Sequence, residues 1–355
     1  MSPHSSDNNV SVLLKEYSAH GKVSTDLYDV QSGPVPNASS LKPNEVLVHV
    51  RYVSVDPYLR MRLSGVDGPY SRAFKVGHPI SSHGVGEVIA STSSDYKEGD
   101  RVTGGAFPWS KYATFDVTPE VAKASGFSKL EGVLAKAPLE WHIGVLGMPS
   151  FTAWYGLNVI AQPKKGETIV VSAAAGAVGQ AVVQLAKSLG LYVVAAAGSD
   201  EKVAYLKDEL KADAVFNYKK VDSYSATLKG LCPRGIDIYF DNVGGEFLDA
   251  VLEHVNKNAR IAACGAISQY QKEKGETYGI KNVMSVVGNE VRWEGFIIMY
   301  HYKSHYEAFV KDITERVKNG TFNYKLHISE GIETAPQAMV DMMSGKNFGK
   351  TCVKV

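Results

Sequence analysis

Residues 168–179 read Thr168-Ile169-Val170-Val171-Ser172-Ala173-Ala174-Ala175-Gly176-Ala177-Val178-Gly179, an apolar run that passes straight into a turn of small residues. An amphipathic stretch follows, with Val178, Val182, Leu185, Ala186 and Leu189 at helical spacing. A buried strand, a tight turn and a helix in that order bring backbone against a dinucleotide pyrophosphate. Small residues let the chain turn closely, and the helix N-terminus offers N–H groups to the anion. Laid on G-x-G-x-x-G, the turn is Ala174-Ala175-Gly176-Ala177-Val178-Gly179, with alanine at the first glycine position. A turn needed only for strand–helix packing uses the same residue types. The second strand that follows at the right distance favours the nucleotide site.

Working outward, strands and helices alternate. The pattern predicts a helix from Gly147 to Ile160, a strand Thr168–Ala173 and a helix Ala177–Leu189. It continues with strand Tyr192–Ala197, helix Asp200–Leu210, strands Ala214–Asn217 and Ile236–Asp241, and helix Glu246–Val255. Strands Ala259–Ala263 and Val291–Met299 and a helix Ser304–Val317 complete it. Such alternation implies right-handed crossovers and an α/β, doubly wound parallel sheet of the Rossmann type. Before it, Ser11 to about Val121 reads as short strands punctuated by Gly, Pro and Ser, a mainly antiparallel β domain. Residues 1–9 read as a disordered tail, and Met61–Ser82 as a long loop of functional interest. From about Thr321 the chain reverts to strand, helix and strand, as if the Rossmann domain were inserted in the first. The expected division is 1–144 with 319–355 for the catalytic domain, and 145–318 for the nucleotide domain.

Which nucleotide binds turns on the end of the second strand. A site for NAD usually places Asp or Glu there, against the ribose 2′-hydroxyl. Here the strand ends Ala195-Ala196-Ala197-Gly198-Ser199, and Asp200 and Glu201 fall in the next helix's first turn, where negative charge suits the dipole. Lys202 shares that turn, where a cation is disfavoured unless an anion such as the NADP 2′-phosphate sits beside it. A solvated lysine there costs only roughly a few tenths of a kcal/mol and is the alternative; the charge pattern favours NADP. Two further glycine-rich strand ends, Phe240-Asp241-Asn242-Val243-Gly244-Gly245 and Ala263-Cys264-Gly265-Ala266-Ile267-Ser268, extend the crevice, or are simple turns.

Composition excludes other classes. The 355 residues are 45% hydrophobic and 21% charged with a net charge of +1, which gives nucleic acid no electrostatic purchase. No apolar segment is long enough to span a bilayer. Three cysteines, Cys232, Cys264 and Cys352, form neither a disulfide framework nor a metal cluster, and with no apolar leader they suggest the cytoplasm. A catalytic zinc needs Cys, His and Glu ligands; Val55-Asp56-Pro57-Tyr58 and Gly77-His78-Pro79 stand where such ligands would be expected. No metal site is expected.

Together, Val55-Asp56-Pro57-Tyr58-Leu59-Arg60-Met61-Arg62, Ala173–Gly179, Gly198–Lys202, Phe216-Asn217-Tyr218-Lys219, Tyr239–Gly245, Cys264–Ser268 and Asn347-Phe348-Gly349-Lys350 run in one family's order over most of the chain. By these segments the sequence resembles the zinc-independent medium-chain dehydrogenases/reductases, within them the leukotriene B4 dehydrogenase, prostaglandin reductase and alkenal double-bond reductase group. The resemblance implies a GroES-like fold for the antiparallel catalytic domain. It implies that Lys202 and Tyr218 bind the NADP 2′-phosphate and that Gly176, Ala177 and Val178, with Gly179 closing the motif, lie at the pyrophosphate. It further implies that Asn242, Cys264 and Ile267 line the nicotinamide side, that Asn347 reaches the cofactor, and that Tyr58 and Tyr270 lie in the substrate cleft. It also implies a homodimer joined through edge strands near Val291–Met299. Two departures, a longer N-terminal tail and a charged loop Gln269–Ile280 that faces the substrate by resemblance, leave the substrate's identity open.

The expected reaction is NADPH-dependent reduction of the C=C bond of an α,β-unsaturated aldehyde or ketone, hydride adding to the β-carbon. Charge then reaches the carbonyl oxygen, which without a metal needs a hydrogen-bond donor worth roughly 3–4 kcal/mol. A phenol, protonated at neutral pH with a reference pKa of about 10, can supply it. Tyr270 is the first candidate and Tyr58 the second. The rivals are a quinone reductase, a zinc-free alcohol or carbonyl oxidoreductase, and a cofactor-binding structural protein of the crystallin kind without turnover.

Overall fold

The computed structural model describes residues 8–69, 71–273 and 275–355. Its contacts divide the chain into two compact units. The first holds the described residues up to Ile143, with His327–Lys346 and Thr351–Val355; the second holds Gly144–Leu326 and Asn347–Lys350. The sequence-based boundary at 318/319 compares with 326/327 here, and the four residues 347–350 join the nucleotide-type unit.

In the first unit, strands β1 (Asn8–Leu14) and β2 (Tyr28–Pro34) pair antiparallel. Asn8 and Asn9 therefore sit in register opposite Pro34 and Gly33, which corrects their reading as tail; residues 1–7 lie outside the described residues. Next come β3 (Glu45–Ser54), α1 (Leu59–Arg62), β4 (Ser81–Ser91), β5 (Arg101–Pro108), β6 (Tyr112–Asp116), α2 (Pro119–Ser125), β7 (Ser128–Lys129) and α3 (Gly132–Lys136). The Met61–Ser82 segment starts inside α1 and ends inside β4, and it is tied down by buried Phe74 and Ile80.

The second unit runs α4 (Met148–Tyr155), continued by a wider turn to Ala161, then β8 (Thr168–Val171), α5 (Ala177–Ser188), β9 (Tyr192–Ala197), α6 (Asp200–Asp208) and β10 (Ala214–Asn217). It goes on through α7 (Tyr224–Leu231), β11 (Ile236–Asp241), α8 (Gly245–Leu252), β12 (Val255–Ala263), α9 (Met284–Gly288), β13 (Arg292–Gly295) and α10 (Tyr302–Lys318). The returning tail supplies β14 (Leu326–Glu330), α11 (Ala335–Met343) and β15 (Lys350–Lys354). A seven-stranded sheet runs β14-β15-β3-β4-β5-β7, with β6 paired to β3.

The other sheet has six strands in the order β10-β9-β8-β11-β12-β13, its ladders parallel. Relative to chain order this is 3-2-1-4-5-6, so the direction of winding reverses between β8 and β11, and ligands bind beyond the strand ends at such a reversal. β8 is buried along its length, as a strand covered by helices on both faces must be. Several expectations shift. β8 ends at Val171 because Ala173 takes a left-handed φ of 47°, which no strand allows. Leu189 caps α5 and is exposed rather than continuing the buried stripe. Val255 opens β12 instead of ending a helix, and β13 covers only four of the nine residues from Val291 to Met299.

Candidate cofactor site

The turn after β8 is fixed from both sides. Ala174 N–H donates to Ala196 O at 2.9 Å, and Gly176 N–H donates to Ala173 O at 2.9 Å, closing the loop on itself. Gly176 then stands at the N-cap of α5, and no side chain caps that helix. The first N–H groups of any helix lack intrahelical partners, so this end presents main-chain donors and the positive end of the dipole. Gly179 has a different task. A Cβ there would lie 2.4 Å from Ala173 O and 2.6 Å from Ala174 Cα, so only hydrogen lets α5 pack against its own turn. Gly179→Ala is therefore expected to cost roughly 1–3 kcal/mol of stability through overpacking, seen as a lowered Tm. An unchanged Tm would show that the helix shifts freely.

At the ends of β9 and β10, Ser199 accepts from Lys202 N–H at 3.3 Å and caps α6. Asp200 is not turned toward a ribose: Asn217 Nδ2 donates to it at 2.9 Å and Lys220 Nζ at 2.5 Å. The Tyr218 ring lies on Gly198, whose Cβ would fall 2.8 Å from the phenol oxygen. Lys219 Nζ stands 6.0 Å from that ring's centroid. Burial, and then the Lys219 ammonium, pulls the Lys202 ammonium below the ordinary lysine range, with Glu201 opposing. Two cations and a phenol around a capped helix start suit a dianion, which relieves the repulsion between them. The residues present fit an NADP 2′-phosphate here and its pyrophosphate at α5.

Across the reversal point, Asp241 and Ser172 together link three strand ends. Asp241 Oδ1 accepts from Tyr239 Oη–H at 2.8 Å, Val243 N–H at 3.0 Å and Gly244 N–H at 2.7 Å. Its main-chain oxygen accepts from Cys264 N–H and Gly265 N–H at the end of β12. Ser172, at the end of β8, places its Oγ 3.0 Å from Tyr239 Oη, accepts there from Asn242 N–H at 3.0 Å, and takes Asn242 Nδ2 at its carbonyl at 2.8 Å. Ile267 N–H donates to Asn242 O at 3.2 Å. Asn242, Cys264 and Ile267 are thus gathered around Asp241 and Ser172. Neither residue has a role in the sequence pattern, although a lone acid at a buried strand tip marks Asp241.

Burial raises the Asp241 carboxyl to about 6 against those three hydrogen bonds. The folded protein therefore holds a proton that the unfolded chain, near 3.8, releases. Stability contributed by this group is complete below about 4 and is lost as pH rises through about 6, on the order of 3 kcal/mol. Asp241→Asn is expected to flatten that part of the pH–stability curve; a curve of unchanged slope would rule the group out. Desolvation, followed by the nearby Asp241, also pushes the Cys264 thiol up to about 12, which keeps it protonated.

Tyr270 follows from the same edge. Its hydroxyl oxygen accepts from Ala266 N–H at 3.0 Å, a bond that does not use the phenol's own proton. Asn347 belongs to the second unit, where its Nδ2 donates to Gly349 O at 2.9 Å and Gly349 N–H donates to Ala175 O at 3.1 Å. Tyr58 lies in the first unit at the start of α1, hydrogen-bonded to Arg62, whose guanidinium stacks 3.9 Å over Phe74. Among the described residues no three His, Cys, Asp or Glu side chains come together as ligands of a metal ion would. No described helix is long and apolar enough to cross a membrane.

Residues 177–315 match the family model described as zinc-binding dehydrogenase, and residues 12–122 the one described as the N-terminal domain of oxidoreductase. The chain is 39% identical, over 98% of both chains, to an NADP(+)-dependent 2-alkenal reductase of Nicotiana tabacum. It is 40% identical to (+)-pulegone reductase of Mentha piperita over 87% of each chain. Among solved structures, CurA of Vibrio vulnificus in complex with NADPH superposes with a TM-score of 0.87 at 32% identity, covering 98% of this chain and 99% of that one.

Proposed function

The chain belongs to the zinc-independent alkenal and prostaglandin reductase group of the medium-chain dehydrogenases/reductases, and from that membership we propose that it reduces the C=C bond of α,β-unsaturated aldehydes and ketones with NADPH. The observation that carries the cofactor choice is the trio Lys202, Tyr218 and Lys219 beside a strand end whose nearest acid, Asp200, is already bonded to Lys220 and Asn217. When bound, NADPH would supply a hydride to the β-carbon of the enone, and the negative charge that develops on the carbonyl oxygen is discharged when the α-carbon takes a proton from solvent.

The protein's own residues do the rest. Lys202 and Tyr218 hold the 2′-phosphate, and Gly176, Ala177 and Val178 offer main chain to the pyrophosphate. Asn242, Cys264 and Ile267 line the nicotinamide side, kept in place by Asp241 and Ser172. Asn347 reaches the dinucleotide from the segment bonded to Ala175. The Tyr270 hydroxyl donates to the carbonyl oxygen as charge builds there, and Tyr58, held by Arg62, is the alternative donor. The test is direct. Purified protein with NADPH and a 2-alkenal should consume the cofactor and yield the saturated aldehyde. A product that has lost its carbonyl, or no NADPH consumption with any enone, would end the proposal.

We also place the protein in the cytoplasm, a reading supported by three cysteines that form no disulfide, and as a homodimer. The dimer reading rests on β13, the outer strand of its sheet, exposed along its length and flanked by exposed Met284, Val287, Met299 and Tyr300. An open strand edge beside apolar side chains invites pairing with a second copy. Trp293→Glu on β13 is then expected to shift the sedimentation coefficient from dimer to monomer. A wild-type protein that sediments as a monomer would dismiss the dimer.

A further inference from the structure

The four residues Asn347–Lys350 join the second unit although the chain on either side belongs to the first. Where they cross, Gly349 N–H donates to Ala175 O at 3.1 Å, and Gly349 forms a parallel bridge with Gly176. Gly349 has φ 82°, and a Cβ on it would fall 2.2 Å from Lys325 O, so no other residue fits this pass. Lys325 is the second element of the junction. Its N–H donates to Gln180 Oε1 at 2.8 Å, and its carbonyl accepts from Gln180 Nε2 at 3.1 Å and Lys350 N–H at 3.0 Å.

Its side chain completes a cage. Lys325 Nζ lies 4.4 Å from the Phe348 ring centroid and 4.6 Å from that of Tyr205, the two rings meet edge-on at 5.0 Å, and Glu209 stands 3.4 Å away. Tyr205 is buried on α6, one turn beyond Lys202, and its hydroxyl donates to Gln180 Oε1 at 3.0 Å on α5, one residue beyond Gly179. The cage therefore touches both helices whose N-termini flank the dinucleotide site.

We propose that Lys325, Tyr205 and Phe348 are positioning residues that fix the 2′-phosphate end of the NADP site, on α6, relative to the pyrophosphate turn, on α5. The proposal rests on the cofactor reading above. A ligand that spans both ends gains from their preset separation, whereas a fragment that occupies one end does not. Cation–π and aromatic-pair contacts of this kind are worth enough for about a tenfold change in affinity when one ring is removed.

The experiment compares binding of NADPH and of 2′,5′-ADP by calorimetry to wild type, Phe348→Leu, Phe348→Tyr and Lys325→Met, with each variant's melting curve recorded. Phe348→Leu and Lys325→Met are expected to weaken NADPH about tenfold while 2′,5′-ADP changes less than about twofold, and Phe348→Tyr to restore NADPH binding. If NADPH affinity is unchanged in both weakening variants, or 2′,5′-ADP falls as far as NADPH, the positioning role is wrong. Wild type that binds neither ligand would overturn the cofactor reading itself and this proposal with it; wild type that binds both isolates the positioning role for judgement by the variants.

Discussion

Tyr270→Phe is expected to lower kcat by about a hundredfold to a thousandfold, the effect of removing one donor from a developing oxyanion, roughly 2.7–4 kcal/mol. The Kd for NADPH should remain within a factor of two or so, because the hydrogen bond from Ala266 N–H holds the phenol at the strand-end turn after β12. The substitution also leaves that amide without its acceptor, which costs stability of about 1–3 kcal/mol if the group stays dry. A melting curve measures that loss separately, so turnover of the folded fraction reports the chemistry. Full turnover in Tyr270→Phe would strike the residue from the mechanism. Tyr58→Phe would then be the variant expected to fail, since Tyr58 is the phenol already polarised by a guanidinium.

Lys202→Ala is expected to weaken NADPH by roughly 1.5–3 kcal/mol, about tenfold to a hundredfold, the range for a hydrogen bond to a charged group. NADH lacks the phosphate and should lose little. The asymmetry follows from the environment of the ammonium. Lys202 is partly desolvated and faces Lys219, so a bound dianion answers a repulsion that the protein otherwise carries. Relief of that repulsion also predicts a steep salt dependence of NADPH affinity, flattened in the variant. Equal losses for the two nucleotides would show that Lys202 supports the fold of α6 and does not read the phosphate.

The two predictions draw on different depths of legibility. The strand, turn and helix of residues 168–188 were readable because each depends on near neighbours: an apolar run, small turn residues, then apolar positions at helical spacing. The shift of β8's end from Ala173 to Val171 was not readable, because nothing local marks Ala173 for a left-handed φ. The helix α7 and the start of β12 at Val255 are not legible in the sequence, because a short apolar run does not declare its period. The preference for NADP was legible from two adjacent facts, the missing acid at the tip of β9 and the lysine in the next turn. That Asp200 is bonded to Lys220 and Asn217 was not, since it needs β10 alongside β9 in a particular register.

By itself the sequence determined the doubly wound unit, the tight turn after β8 and the charge that favours a phosphorylated cofactor. All of these follow from side-chain size, periodicity and charge within about twenty residues. Only the tertiary structure decided that Asp241 and Ser172 together tie three strand ends, that a four-residue pass near the C-terminus seals the turn, and that β13 is left as an edge. Those depend on partners far apart in the chain, as Ala175 and Gly349 are. Which distant groups meet is set by sheet order and register, and a one-residue change in register would send the same side chains to the opposite face.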